Sequence, residues 1–250
     1  MTEDQPVPPT DEPPPPPPPA PERFELGRLF AFAFRDPKAL SRFVIGSLMV
    51  VLIPLLGLGL FALLGFGVRT ARGALRGDEH PMADWNDFGG ILVDGIKVFG
   101  VIAGYTLAAV AMGLVLVVIG VFWALIGQSM GSPAVVATSV IGSLTSIFFL
   151  VFAALIAKAL IPAGIVQLAA TGRFTAAFRL NRNVALIRAN FGNYIVLLLS
   201  LILFAFIADL TVLICLVGAI PGYFWGMTVA GAAIGQTGRL MGVRVEPGVA

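Results

Sequence analysis

Apolar residues form long, nearly uninterrupted stretches along this chain. Four stretches have the length of a membrane-spanning helix, about twenty residues or more, and they lie near 96–122, 137–162, 190–208 and 211–238. A further apolar block, at 40–68, is too long for one comfortable span and short for two. The pattern predicts an all-α, polytopic membrane protein.

Composition supports this class. Hydrophobic residues make up 58% of the chain and charged residues 12%, whereas a soluble domain has about 45–50% and about 25%. The net charge of +2 is too small to suggest a nucleic-acid partner. Because the chain has one cysteine and one histidine, a disulfide framework and a zinc cluster are excluded. We expect no cofactor, no metal site and no enzymatic activity.

The basic residues indicate how the block 40–68 is arranged. Lysine and arginine accumulate on the cytoplasmic side of short loops, and basic residues stand both before this block and after it, at Arg69, Arg72 and Arg76. A single span would place the two groups on opposite sides, whereas a hairpin that turns near Pro54 keeps them together. We therefore expect about six spans in three hairpins, with both termini cytoplasmic in the inner membrane.

A short amphipathic stretch precedes each pair of predicted spans, at 22–35, 84–97 and 173–189. In the second stretch, one helical stripe consists of Trp85, Phe88, Leu92 and Ile96. Aromatic side chains on one face are typical of a helix in the membrane interface. The sequence thus predicts an interfacial helix before each hairpin.

The N-terminal region differs from the rest. Residues 1–21 hold eleven of the eighteen prolines, including an unbroken run at 13–19. Such a run adopts an extended polyproline II conformation without a core. We interpret it as a disordered cytoplasmic tail, or as a docking motif for a proline-recognition domain. The predicted organisation is this tail, a helical membrane domain at 22–240, and a short cytoplasmic tail at 241–250.

Several motifs give the chain a family resemblance. They are Phe34-Arg35-Asp36-Pro37, Trp85-Asn86-Asp87-Phe88-Gly89 and Asp94-Gly95-Ile96-Lys97. With these motifs, the chain resembles a prokaryotic membrane family catalogued as a domain of unknown function, number four thousand and thirteen. The resemblance covers about residues 24–240. It implies a multi-pass membrane protein and no catalytic residues.

A few polar residues are candidates for function. Asp209 lies at the predicted junction of the last two spans, where it is either a functional group at bilayer depth or a hydrated turn residue. Asp94 and Lys97 have the spacing of a helical ion pair and form either a polar switch or partner contact, or a solvated face. Trp85, on the second amphipathic stretch, is a further candidate.

Glycines at four-residue spacing indicate close helix packing. They are Gly218, Gly222 and Gly226 in the last span, and Gly100 and Gly104 in the third. They mediate either homo-oligomerisation or packing within the chain. We expect a non-enzymatic structural or interaction protein whose partners are the lipid bilayer and a second copy or another membrane protein. The alternative is a small-solute transporter or channel subunit, for which the predicted spans offer only scattered polar residues.

Overall fold

A computed structural model describes residues 24, 26–129, 133–214 and 216–249. The structure is 86% helical and has no strand among these residues, which confirms the predicted all-α class. The proline-rich tail, including the run at 13–19, lies outside the described residues, so its predicted disorder and docking role stay predictions.

The described chain consists of long helices joined by short connections. The elements are α1 (Leu26–Arg35), α2 (Ala39–Leu56), α3 (Leu58–Arg76), α4 (Phe88–Ser129), α5 (Pro133–Thr171), a 3-10 helix (Phe174–Phe178), α6 (Leu180–Ala189), α7 (Phe191–Ile214) and α8 (Leu216–Leu240). Consecutive long helices pack together, α2 with α3, α4 with α5, and α7 with α8, and α3 also packs against α4 and α8.

A single residue, Gly57, separates α2 from α3. Its φ is +65°, in the left-handed region, and its backbone N–H donates to the Ile53 carbonyl at 2.9 Å. Glycine adopts this conformation without a Cβ penalty, which ends α2 and allows α3 to begin at the next residue. The apolar block 40–68 therefore contains two helices, and the break falls in the region where the sequence predicts a turn.

The second amphipathic stretch, 84–97, is not a separate interfacial helix as predicted. Its helical part is the start of α4, which continues without interruption to Ser129. The Asp87 carboxylate accepts a hydrogen bond from the Gly90 backbone N–H at 3.0 Å, in the manner of a helix N-cap. Because the helix begins there and apolar residues follow, no break occurs between the surface segment and the long apolar segment.

The predicted turn at Asp209 is also wrong. Helix α7 runs past this residue to Ile214, because apolar residues continue on both sides of the single acidic position. The Thr211 hydroxyl donates back to the Ala208 carbonyl at 2.6 Å, so this polar side chain is satisfied within the helix. Asp209 is an exposed residue of a helix rather than part of a loop.

Four helical segments among the described residues are long and apolar enough to cross a bilayer. They are Leu58–Arg76, Phe88–Ile126, Ala137–Thr171 and Phe191–Thr211. A shorter apolar helix covers Ala39–Ile53. Several such helices in one chain indicate a multi-pass membrane protein.

The core lies around α3, where aromatic rings from four parts of the chain meet. Phe66 of α3 stacks on Trp85 with 4.6 Å between ring centroids and contacts Phe224 of α8 at 5.2 Å. Phe43 of α2 also contacts Phe224 edge-on, with 5.1 Å between ring centroids. This packing holds the loop 77–87 against α2 and α3 and positions the charged residues described next.

Candidate functional site

Helix α3 carries three arginines on one face. Arg69, Arg72 and Arg76 follow at spacings of three and four residues, which is one stripe of an α-helix. Arg72 is 3% exposed. Arginine is almost never buried without a partner, so α3 needs acceptors from neighbouring elements.

The main acceptor is Asp94 of α4, itself 8% exposed. Its carboxylate lies 3.0 Å from Nε of Arg69 and 3.4 Å from a terminal nitrogen of Arg72. The Lys97 ammonium lies 3.5 Å from the other carboxylate oxygen. The structure thus brings Asp94 and Lys97 together as their spacing predicts, and it adds two arginines. We call these four residues, Arg69, Arg72, Asp94 and Lys97, the Asp94 cluster.

Two glycines make this cluster possible by allowing α3 and α4 to approach closely. A Cβ on Gly65 would overlap the Ile91 carbonyl of α4, and a Cβ on Gly95 would overlap the Phe61 carbonyl of α3. These are contacts with backbone atoms, which cannot move aside like a flexible side chain. The crossing therefore requires glycine at both positions and places Asp94, next to Gly95, against the arginines of α3.

The cluster also binds the C-terminal end of α5. Nε of Arg72 donates to the Ala169 carbonyl at 3.2 Å, and the Lys97 ammonium donates to the Gly172 carbonyl at 3.3 Å. Positively charged groups stabilise the unpaired carbonyls at a helix C-terminus. Three helices are thereby joined by one set of charges.

Asp87 extends the cluster outward. Its carboxylate accepts from a terminal nitrogen of Arg69 at 2.8 Å and from the Gly90 backbone N–H. These two hydrogen bonds, first that from Arg69 and then that from Gly90, lower the pKa of Asp87 below its ordinary value. Asp87 thus remains ionised at neutral pH.

A second group of charges fixes the preceding loop. Arg42 of α2 forms ion pairs with Asp36 and with Asp84, the latter at 2.8 Å. The indole N–H of Trp85 donates to the Arg42 carbonyl at 3.4 Å. The candidate Trp85 is therefore half-buried in the protein, between this carbonyl and the ring of Phe66.

The remaining candidates lie elsewhere. Asp209 accepts a hydrogen bond from the Tyr223 hydroxyl at 3.1 Å and is in no described ion pair. A Cβ on Gly100 or Gly104 would lie 2.8 Å from Phe174 or 2.7 Å from Phe178, so both glycines face the 3-10 helix.

Two of the predicted packing glycines of α8, Gly222 and Gly226, face α7. A Cβ on Gly222 would overlap Thr211, and one on Gly226 would lie 3.2 Å from Ala208. Gly218 is half-buried in the same helix. The contacts of Gly222 and Gly226 are thus with the same chain, and their sequence alternative, homo-oligomerisation, stays a prediction.

Two open pockets share Arg69 and Arg72. One, of about 260 Å³, lies toward the loop 78–87 and has aspartates on its rim. The other, of about 430 Å³, lies between α3, α4 and the end of α5, and Lys97 and Arg173 also line it. We call the larger one the cationic pocket. Within the part of the chain that the structure describes, no three His, Cys, Asp or Glu side chains are placed to hold a metal ion.

A model of the family described as "Protein of unknown function (DUF4013)" matches residues 42–217. The chain belongs to this family. The resemblance seen in the sequence motifs is thereby confirmed, and the DUF4013 match contains every residue of the Asp94 cluster, while α1 and most of α8 lie outside it. Comparison with curated proteins and with solved structures found no match.

The sequence reasoning used Arg69 and Arg72 only to orient the chain and missed them as partners of Asp94. The available signal was their spacing with Arg76, which makes a cationic stripe on an apolar helix. Such a stripe predicts an acidic partner. The stripe could not identify Asp94 as this partner, because Asp94 is 25 positions from Arg69 and 22 positions from Arg72.

Proposed function

We propose that this chain is a six-span protein of the cytoplasmic membrane with a structural or interaction role rather than an enzymatic one. The spans are α2, α3, α4, α5, α7 and α8, arranged as three hairpins with both termini in the cytoplasm. The observation that carries the proposal is that two buried tyrosines, Tyr105 and Tyr194, use their hydroxyls to bind the backbone of other helices of the same chain.

The buried polar group around Tyr105 is the clearest example. The Tyr105 hydroxyl of α4 donates to the Ala177 carbonyl at 2.8 Å. The Asn183 side-chain amide of α6 donates to the same carbonyl at 2.7 Å and to the Tyr105 hydroxyl at 3.0 Å. These bonds tie α4 to the 3-10 helix and to α6. Unsatisfied polar groups are costly away from water, so the pairing of the Tyr105 hydroxyl and the Asn183 Nδ2 favours one fixed arrangement, although Oδ1 of Asn183 has no partner among the described residues.

Tyr194 makes the corresponding contact between α7 and α5. Its buried hydroxyl donates to the Ala159 carbonyl and accepts from the Ala163 backbone N–H at 3.2 Å. Pro162, which lies within α5, has no N–H to donate in the helix. Tyr194 therefore binds the backbone beside this interruption. A solute path would instead need such groups to face a cavity.

The segment between α5 and α7 supports the assigned orientation. The arginines of α6 and its N-cap, Arg179, Arg182 and Arg188, are exposed. Phe174 and Phe191, which flank α6, are exposed as well. Aromatic and basic side chains together are typical of the cytoplasmic membrane interface. The Asp94 cluster contacts the end of α5 and belongs to the same side.

The orientation can be tested with single cysteines in a Cys215→Ala background. Ser129→Cys lies at the end of α4 and Glu79→Cys in the exposed loop after α3. In intact cells, a membrane-impermeant maleimide should label Ser129→Cys and should label Glu79→Cys only after permeabilisation. Labelling of Glu79→Cys in intact cells would contradict the first hairpin.

The structural role is tested against the transporter alternative by solute flux. The purified protein in liposomes should release entrapped ions and small solutes no faster than empty liposomes do. Protein-dependent flux that Asp209→Asn abolishes would contradict the proposal and would favour a transporter. Thr175→Ala, an exposed polar residue of the 3-10 helix, is the matched control.

A further inference from the structure

Most of the charged side chains that line the cationic pocket, among the described residues, are positive. Arg69, Arg72 and Lys97 all contact the carboxylate of Asp94, and Arg173 lines the same pocket. Asp87, which lines the smaller pocket, also pairs with Arg69. Among the described residues that line the cationic pocket, four are thus cationic and one is acidic, and like charges held this close repel unless an anion joins them.

Arg173 is the most available of these cations. It is exposed and has no ion pair with any residue that the structure describes. Lys97, on the facing helix, is only half-buried. A guanidinium and an ammonium around one opening match the oxygens of a phosphate group, to which arginine can donate two parallel hydrogen bonds.

The rim of the pocket continues into an apolar surface. Val93 lines the pocket, and Val93, Ile96 and Phe99 follow at three-residue spacing along α4, where all three are exposed. This stripe points along α4 toward the apolar segment that ends at Ile126. A ligand with a phosphate and a long apolar chain would satisfy both surfaces, whereas a soluble phosphate would leave the stripe uncovered.

We propose that the cationic pocket binds the phosphate of an anionic membrane lipid, with one acyl chain lying along Val93, Ile96 and Phe99. Arg173 and Lys97 bind the phosphate, and Asp94 holds Arg69 and Arg72 in place behind it. The inference goes beyond the proposed function. It requires a membrane protein but depends neither on the number of spans nor on the absence of enzymatic activity.

The test is native mass spectrometry of the purified full-length protein in detergent, titrated with phosphatidylglycerol or with phosphatidylcholine. The wild type should retain phosphatidylglycerol preferentially. Arg173→Gln and Lys97→Gln should each weaken that binding about tenfold, as expected for loss of one charge-assisted hydrogen bond. Arg188→Gln, which removes an exposed cation that does not line the pocket, should bind like the wild type.

Two results would overturn the proposal. Equal retention of both lipids would show that the pocket does not select an anionic headgroup. Equal weakening by Arg173→Gln and Arg188→Gln would show general attraction to a basic surface. Because Arg173 is exposed, its substitution should leave the helical circular dichroism unchanged, and this measurement accompanies each titration.

A parallel arm separates a lipid from a soluble phosphate. The thermal stability of the detergent-solubilised protein is measured with glycerol 3-phosphate, with inorganic phosphate and with phosphatidylglycerol. The lipid should raise the unfolding midpoint in the wild type and less so in Arg173→Gln. Stabilisation by glycerol 3-phosphate alone, lost in Arg173→Gln, would replace the lipid with a soluble ligand and contradict the assignment.

Discussion

Helices α3 and α4 are both long enough to cross a bilayer, yet their surroundings differ. The most apolar 18-residue segment of α3 has a mean hydropathy of 1.3, and 72% of it is buried inside the protein. The corresponding segment of α4 has a mean hydropathy of 2.8 and is only 17% buried. The helix with the weaker apolar character is thus the one that the protein itself covers. In these two helices, the higher mean hydropathy goes with an exposed surface that suits lipid, and the lower one with packing against other helices.

The difference explains where the charges lie. α3 packs against α2, α4 and α8 and can carry Arg69 and Arg72 because Asp94 forms ion pairs with both of them. α4 carries its own charges only in its first turns, and its later residues are uncharged and mostly apolar. We call residues 110–126 of α4 and 137–152 of α5 the distal α4–α5 pair. Its large side chains are mostly exposed, which suits lipid and not water.

The largest expected effect is a loss of stability around α3, the helix that other helices cover. Asp94→Asn leaves Arg69, Arg72 and Lys97 without their shared carboxylate, and breaking a buried ion pair costs about 3–5 kcal/mol. The free energy of unfolding, measured in detergent, should fall by that order. Asp209→Asn, at an exposed carboxylate, is the control and should change it little. A small effect of Asp94→Asn would mean that the cluster does not stabilise the fold.

The next largest effect is expected on the exposed surface of α4. Val118 of α4 is 65% exposed, and its replacement by lysine puts a charge where we expect lipid. Such a substitution near the bilayer centre costs about 2.5–3.5 kcal/mol in membrane insertion. The membrane-inserted fraction should fall for Val118→Lys and stay unchanged for Val118→Leu. Normal insertion of Val118→Lys would place this surface in water or against another protein.

The sequence could predict the class of the fold and one helix break, but not where each helix ends. The all-α class followed from the long apolar stretches, and the break at Gly57 from basic residues on both sides of the block 40–68. The ends of helices were less predictable. A single aspartate, Asp209, suggested a turn, but one exposed polar side chain does not interrupt a helix whose neighbours remain apolar.

The site was predictable only where it is local. The spacing of Asp94 and Lys97 is visible in the sequence because both lie on one helix. Their link to Arg69 and Arg72 depends on how α3 crosses α4, which Gly65 and Gly95 determine through backbone contact. The glycine spacing within α8 and at Gly100 is visible in the sequence, but Gly65 and Gly95, which set this crossing, stand on two different helices.

A smaller effect is expected at that crossing. In Gly65→Ala the new Cβ meets the Ile91 carbonyl, and overpacking of this kind costs about 1–3 kcal/mol. Gly142→Ala in α5, where nothing lies within 4 Å of the added Cβ, is the matched control. It should be neutral or stabilising, since alanine favours a helix interior by about 0.5–1 kcal/mol. Equal effects at both sites would show that α3 and α4 are not in close contact.

The smallest effect concerns the edge of the Asp94 cluster, where Asp87 is exposed to solvent. Its pKa is lowered in the folded protein from the ordinary 3.8, so its contribution to stability is present above that value and is lost as the pH falls through the lowered pKa. Asp87→Asn should make the unfolding midpoint less dependent on pH in this acidic range, with helical circular dichroism as the readout. Asp78→Asn is the control, because it removes an exposed carboxylate of the same loop that has no ion pair with the described residues, and it should retain the wild-type dependence. If Asp78→Asn flattens the profile as much as Asp87→Asn does, the effect comes from net charge. The hydrogen bond between Asp87 and Arg69 would then stabilise α3 no more than any other acidic residue of the loop does.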